Sequence, residues 1–92
     1  MSGDGGPGGG RSRTTDVTAP PGGVMTDEVG VITGRLTVRS EVNDHGEVTL
    51  RVQYAGADEW YTIRGARAHL TNPADIEGVH AIAVGLLDRP DG

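Results

Sequence analysis

Between Val31 and Val42 apolar and polar positions alternate: Ile32, Leu36, Val38 and Val42 occupy even positions, and Thr33, Arg35, Thr37, Arg39 and Glu41 odd ones. A period of two marks a strand with one face buried. After Asn43-Asp44-His45-Gly46, whose side chains and glycine suit a tight turn, the alternation resumes. Val48, Leu50, Val52 and Tyr54 share one side, and Glu47, Thr49, Arg51 and Gln53 the other. The two segments predict an antiparallel hairpin.

Ala55-Gly56-Ala57-Asp58 reads as the next turn, and Glu59 to Arg64 as a third strand. Its register has two readings. With Tyr61 and Ile63 inward, Trp60, Thr62 and Arg64 face outward, which we favour; the opposite choice buries Trp60 and exposes Ile63. Beyond Gly65, a fourth strand or an extended connection places Ala66, Ala68 and Leu70 inside and Arg67 and His69 outside. Asn72, Pro73, Asp75 and Glu77 mark a helix start by capping, by a proline at the first helical position and by negative charge at the positive dipole end. The helix is expected to run to about Asp88, with Ile76, Val79, Ile82, Ala83, Leu86 and Leu87 packed across the sheet. The expected fold is α+β: an antiparallel sheet of three to four strands with one C-terminal helix on one face, in the order β-β-β-(β)-α.

Composition divides the chain. Residues 1–23 hold eight of the sixteen glycines and three of the five prolines, with one valine and no leucine, isoleucine or aromatic residue. Such a segment has little apolar area to offset the entropy of ordering it. Residues 1–25 are therefore expected to be a disordered tail, 26–89 a single small domain and 90–92 a disordered end. Met25, followed by Thr26-Asp27-Glu28, is an alternative start. Arg11 and Arg13 alone are a slender basis for RNA contact by the tail.

With no cysteine there is neither a disulfide nor a thiolate zinc site. The longest apolar stretch, around Ala81–Leu87, is too short to span a bilayer, and no apolar leader is visible, so the expected location is cytoplasmic. The eight basic residues are all arginine, a bias we attribute to GC-rich codons.

Two faces are candidates for function. On the outer sheet face, Arg35, Arg39, Arg51, Arg64 and Arg67 line up with Trp60 and His69 against Glu41 and Glu47, giving a net positive surface. Stacking and guanidinium groups on a sheet suit an acidic protein partner or single-stranded nucleic acid. A net charge of −5 and a pI near 4.9 argue against nucleic acid. On the helix, Ala74, Gly78, Ala81 and Gly85 form a smooth stripe that would admit a second backbone, hence a homodimer.

No catalytic residue, metal ligand or cofactor is expected. His45, His69 and His80 lack ligand spacing, and the residues four before and after His80 are Ile76 and Val84. Asp44-His45 and Asp58-Glu59 fall in turns. Ser40 has no nucleophile-elbow context, and residues 5–10 lack the strand and helix of a phosphate cradle.

The run Trp60-Tyr61-Thr62-Ile63-Arg64-Gly65, with Leu70, Pro73-Ala74-Asp75 and His80, resembles short uncharacterised proteins encoded in actinobacterial genomes. That resemblance covers about a third of the chain and implies no activity. The expectation is a non-enzymatic interaction or regulatory module, with weak nucleic-acid binding through the arginine face as the alternative.

Overall fold

The alternating hairpin forms the centre of the sheet. The computed structural model describes residues 11–89, in which Arg35–Val42 (β4) pairs antiparallel with Glu47–Tyr54 (β5) in continuous register from Leu36↔Tyr54 to Val42↔Val48. On its inward side Leu36, Val38, Val42, Val48 and Val52 are all buried. The turn between them is organised by Asn43, whose Oδ1 accepts the amides of His45 and Glu47 at 2.9 Å each.

Gly46 closes this turn with φ +82°. A Cβ there would lie 2.2 Å from the Leu70 carbonyl oxygen, and the Gly46 carbonyl accepts the Leu70 amide at 2.7 Å. Backbone cannot yield as a flexible side chain would. Gly46→Ala is expected to cost about 1–3 kcal/mol through left-handed strain and this close approach; urea denaturation measures it, and an unchanged midpoint would contradict it.

The sheet is larger than the sequence predicts. Among the described residues it has six strands rather than three to four, in the order β1-β4-β5-β6-β2-β3, with β1 at Arg11–Thr18, β2 at Val24–Thr26, β3 at Gly30–Ile32 and β6 at Tyr61–His69. The expected disordered tail is therefore overturned from residue 11 onward, and the domain begins before residue 26. β1 pairs along all of β4, from Arg11↔Val42 to Thr18↔Arg35, and Val17, Ala19 and Val24 are buried with Ile32, Leu36, Val38 and Val52. The expectations for residues 1–10 and 90–92 lie outside the described residues.

β2 and β3 form a short hairpin built around Thr26, which is completely buried. Its hydroxyl donates to the Gly30 carbonyl at 2.7 Å and accepts the Val29 amide at 3.1 Å. β2 joins β6 through Thr26↔Ile63.

β6 combines the expected third and fourth strands. Its pairing with β5 shifts between Arg51↔Thr62 and Thr49↔Arg67, so the residues from Ile63 to Ala66 bulge opposite Leu50. Gly65, with φ +77°, lies in the bulge. An odd number of extra residues reverses the side-chain parity, so Thr62 before the bulge and Arg67 and His69 after it share the outer face.

Asn72 caps a single 3-10 turn, Pro73–Asp75, with its Oδ1 accepting the Ala74 amide at 3.0 Å. The α-helix α1, Ile76–Leu87, follows directly. It packs on β1 and β4, and its C-terminal end is tied to β1: Asp88 Oδ1 accepts the Thr18 amide at 3.0 Å, and the Arg89 amide donates to the Thr18 carbonyl at 2.9 Å. The architecture is α+β, with one antiparallel sheet and one C-terminal helix. Among the described residues no helix is long and apolar enough to cross a membrane.

The helix is rotated relative to expectation. Ile76, His80 and Ala83 are its buried residues, with Val79, Val84 and Leu87 partly buried, whereas Ile82 and Leu86 are 66% and 63% exposed. At about 100° per residue the expected and the observed inward positions span arcs of equal width, about 140°, that differ by a rotation of about 60°, so apolar periodicity alone does not choose between them. The hydrogen bonds of His80 select the side that turns inward.

Candidate interaction surfaces

The arginines of the outer face are held by carboxylates. Arg39 and Arg51 are cross-strand neighbours, a pairing that repels unless an anion intervenes. Glu41 is that anion: its Oε1 lies 3.1 Å from Arg51 Nε and its Oε2 3.1 Å from Arg39 Nε. Arg51 Nε donates a hydrogen bond to Glu41. Arg39 Nε is close enough for an ion pair but is not aligned for a hydrogen bond, and it has no hydrogen-bond partner among the described residues. Trp60 stands beside Arg39, with the guanidinium carbon 5.8 Å from the ring centroid, within cation–π range. This is the outward placement favoured for Trp60.

The β2–β3 turn supplies further charge to this face. Glu28 reaches across to Thr62, accepting its amide at 2.7 Å and its hydroxyl at 2.9 Å, while Arg51 Nη1 donates to the same hydroxyl at 3.2 Å. The Thr62 amide, together with Arg51 nearby, holds the Glu28 carboxyl below its ordinary range. Asp27 Oδ1 accepts from Arg64 Nε at 3.1 Å. The expected net positive face is thus corrected. Asp27 and Glu28, distant in sequence from the hairpin, fold back onto it, and Asp16 of β1 joins them beside Thr37, so that with Glu41 and Glu47 five carboxylates share the face with five arginines.

The remaining sheet candidates are dispersed. Arg35 is exposed at the start of β4 and Arg67 toward the end of β6; neither forms an ion pair among the described residues. His69 Nε2 bonds the His45 carbonyl at 3.0 Å. Glu47, Thr49, Arg67 and His69 border an open depression of about 420 Å³. Elsewhere, Tyr61 donates to Glu59 at 3.2 Å, and that carboxylate raises the phenol above its usual range. Among the described residues no three His, Cys, Asp or Glu side chains converge to hold a metal.

The helix presents a different surface. Gly78, Ala81 and Gly85 are exposed, and a Cβ on either glycine would meet nothing within 4 Å. Ala74 departs from the expected stripe, being partly buried in the 3-10 turn. Ile82 and Leu86 take its place, so the exposed side combines two large apolar residues with three small ones. Asp75 precedes this surface and Arg89 follows it.

The polar group that sequence reasoning missed lies beneath the helix. His80 is buried, with Nε2 2.7 Å from Thr15 Oγ1 on β1 and Nδ1 2.8 Å from Ser40 Oγ on β4. Ser40 occupies an inward parity position, and that is the available sequence signal: a buried hydroxyl needs a partner. The Ser–His distance suits proton transfer, yet Ser40 is 0% exposed and the second ring nitrogen meets a hydroxyl rather than a carboxylate. The group lies in the core beneath the helix.

Comparison with protein-family models, with curated proteins and with solved structures finds no match to this chain.

Proposed function

We propose that this domain is a non-enzymatic, cytoplasmic interaction module that self-associates through the outer side of α1. The observation that carries the reading is the exposure of Ile82 and Leu86 on a helix side otherwise made of Gly78, Ala81 and Gly85. A solvated helix face ordinarily carries charged residues. Acidic-partner and nucleic-acid binding through the arginine face draw less support, because its central guanidinium groups already have carboxylate neighbours.

A second copy fits this surface by its own pattern. In an antiparallel pair crossing at Ile82, each Leu86 falls over the partner's Gly78, where there is no Cβ, and each Asp75 lies opposite the partner's Arg89. Bulk meets a gap and negative meets positive, both twice, as two-fold symmetry requires. The helix dipoles also oppose one another.

Sedimentation of the full chain across the micromolar range should show a monomer–dimer equilibrium, abolished in Leu86→Glu with an unchanged circular dichroism spectrum. A chain that stays monomeric well above micromolar concentration would sink the proposal. Gly78→Ala separates folding from association. It should stabilise the monomer by about 1 kcal/mol, since alanine is the better helix former, while weakening the dimer by filling the gap.

A further inference from the structure

We infer that His80 is an acid-sensitive latch, and that its protonation releases α1 from the sheet. The core is not continuous under the helix. One apolar cluster contains Val17, Ala19, Val24, Ile32, Leu36, Val38 and Val52, with Val84 and Leu87 against it. The other contains Val42, Val48 and Ile76, with Val79 against it. Ser40 lies between Val38 and Val42 on β4, and His80 between Val79 and Val84 on α1. Thr15, Ser40 and His80 therefore form a polar layer dividing the two clusters, and one imidazole ties the helix to two strands.

The chemistry of that layer suits a neutral ring. A neutral imidazole has one donor and one acceptor, and two hydroxyls that can each give or take a proton satisfy both nitrogens. A proton added to it would carry charge into a seam with no carboxylate in contact. The helix-facing side of β4 offers Leu36, Val38, Ser40 and Val42 and no charge. On β1 the nearby charge is Arg13, which repels an imidazolium. On α1 it is Glu77, which attracts it but is already bonded to Arg13. Burial, reinforced by Arg13 and opposed by Glu77, lowers the His80 pKa below 6.5.

The sign follows. Above 6.5 the histidine is neutral whether α1 is docked or free, and the latch holds fully. As pH falls through 6.5 the released form takes up a proton that the docked form resists, so docking weakens until the docked-state pKa is reached. Glu28 and Glu77, whose carboxyls lie below the ordinary 4.5, act in a separate and more acidic window. Below pH 6.5, α1 has three ties that do not depend on His80: its apolar contacts, the exposed ion pair of Glu77 with Arg13, which screening by solvent weakens, and the bonds of Asp88 and Arg89 to Thr18. The helix is expected to open from its N-terminal half.

The test is hydrogen exchange of the full-length protein read at single amides, corrected for intrinsic pH dependence. Between pH 7.5 and 5, protection of α1 amides should fall by up to about tenfold per pH unit inside the titration window, with β4 and β5 amides changing less. His80→Gln, which keeps a donor and an acceptor, should flatten the dependence. Unchanged α1 protection in the wild type, or the same loss in His80→Gln, would overturn the proposal. If that variant does not fold, the imidazole resonances of the wild type decide: a His80 midpoint below 6.5 with coincident shifts at Thr15 and Ser40 supports the latch, and a midpoint at or above 6.5 overturns it.

Discussion

A chain shortened to begin at Met25 is expected to lose its fold. The cut removes β1, which pairs with β4 along its whole length, and with it Val17, Ala19 and Val24 from the core. Full burial of each valine is worth about 1.5–3 kcal/mol. The cut also deletes Thr15, leaving one nitrogen of a buried histidine without its partner at about 1–3 kcal/mol, and Thr18, to which the end of α1 is tied. Set against the 5–15 kcal/mol typical of whole domains, the combined loss is decisive. Circular dichroism and a two-dimensional amide spectrum measure it directly; a dispersed spectrum with a cooperative melt would refute the expectation. Val17→Asp in the full chain, placing a charge at a position only 2% exposed, should do similar damage.

Leu36→Ala should give the largest loss among simple side-chain truncations, about 2–5 kcal/mol by urea denaturation. Leu36 is 0% exposed at the centre of the larger apolar cluster, where strands on both sides limit collapse around the cavity. Ile82→Ala is the informative contrast. Its side chain would have been buried had α1 been oriented as its apolar pattern predicts, and it is instead 66% exposed. Its effect on monomer stability should stay within about 0.5 kcal/mol. Equal losses at the two positions would mean that α1 presents the other side to the sheet.

These residues show why part of the molecule is legible and part is not. β4 and β5 are plain because each is half-buried along its length, so burial and alternation coincide. The parity change at Gly65 is also visible, since the inward positions run odd before it and even after it. β1 has no such pattern. Its helix-facing positions are Arg11, Arg13, Thr15 and Val17, and two of these four, Arg13 and Thr15, bond to Glu77 and His80 of α1 rather than meeting an apolar core. A hydrophobicity criterion sees a polar tail where hydrogen bonds and an ion pair make a strand. β2 and β3, three residues each, are too short to display a period.

The surfaces follow the same division. Strand parity alone places Arg39, Arg51 and Arg67 on one side, since side chains alternate whatever the tertiary contacts. Neutralisation of that side depends on Asp27 and Glu28, which reach it only because β2 joins β6. Thus local periodicity, turn chemistry and capping determine the central hairpin, the parity of β6 and the start of α1. Tertiary contacts decide the six-stranded sheet, the rotation of the helix, the charge of the outer face and the burial of His80 between two strands. Each of these depends on residues distant in the chain, with partners that no local period specifies.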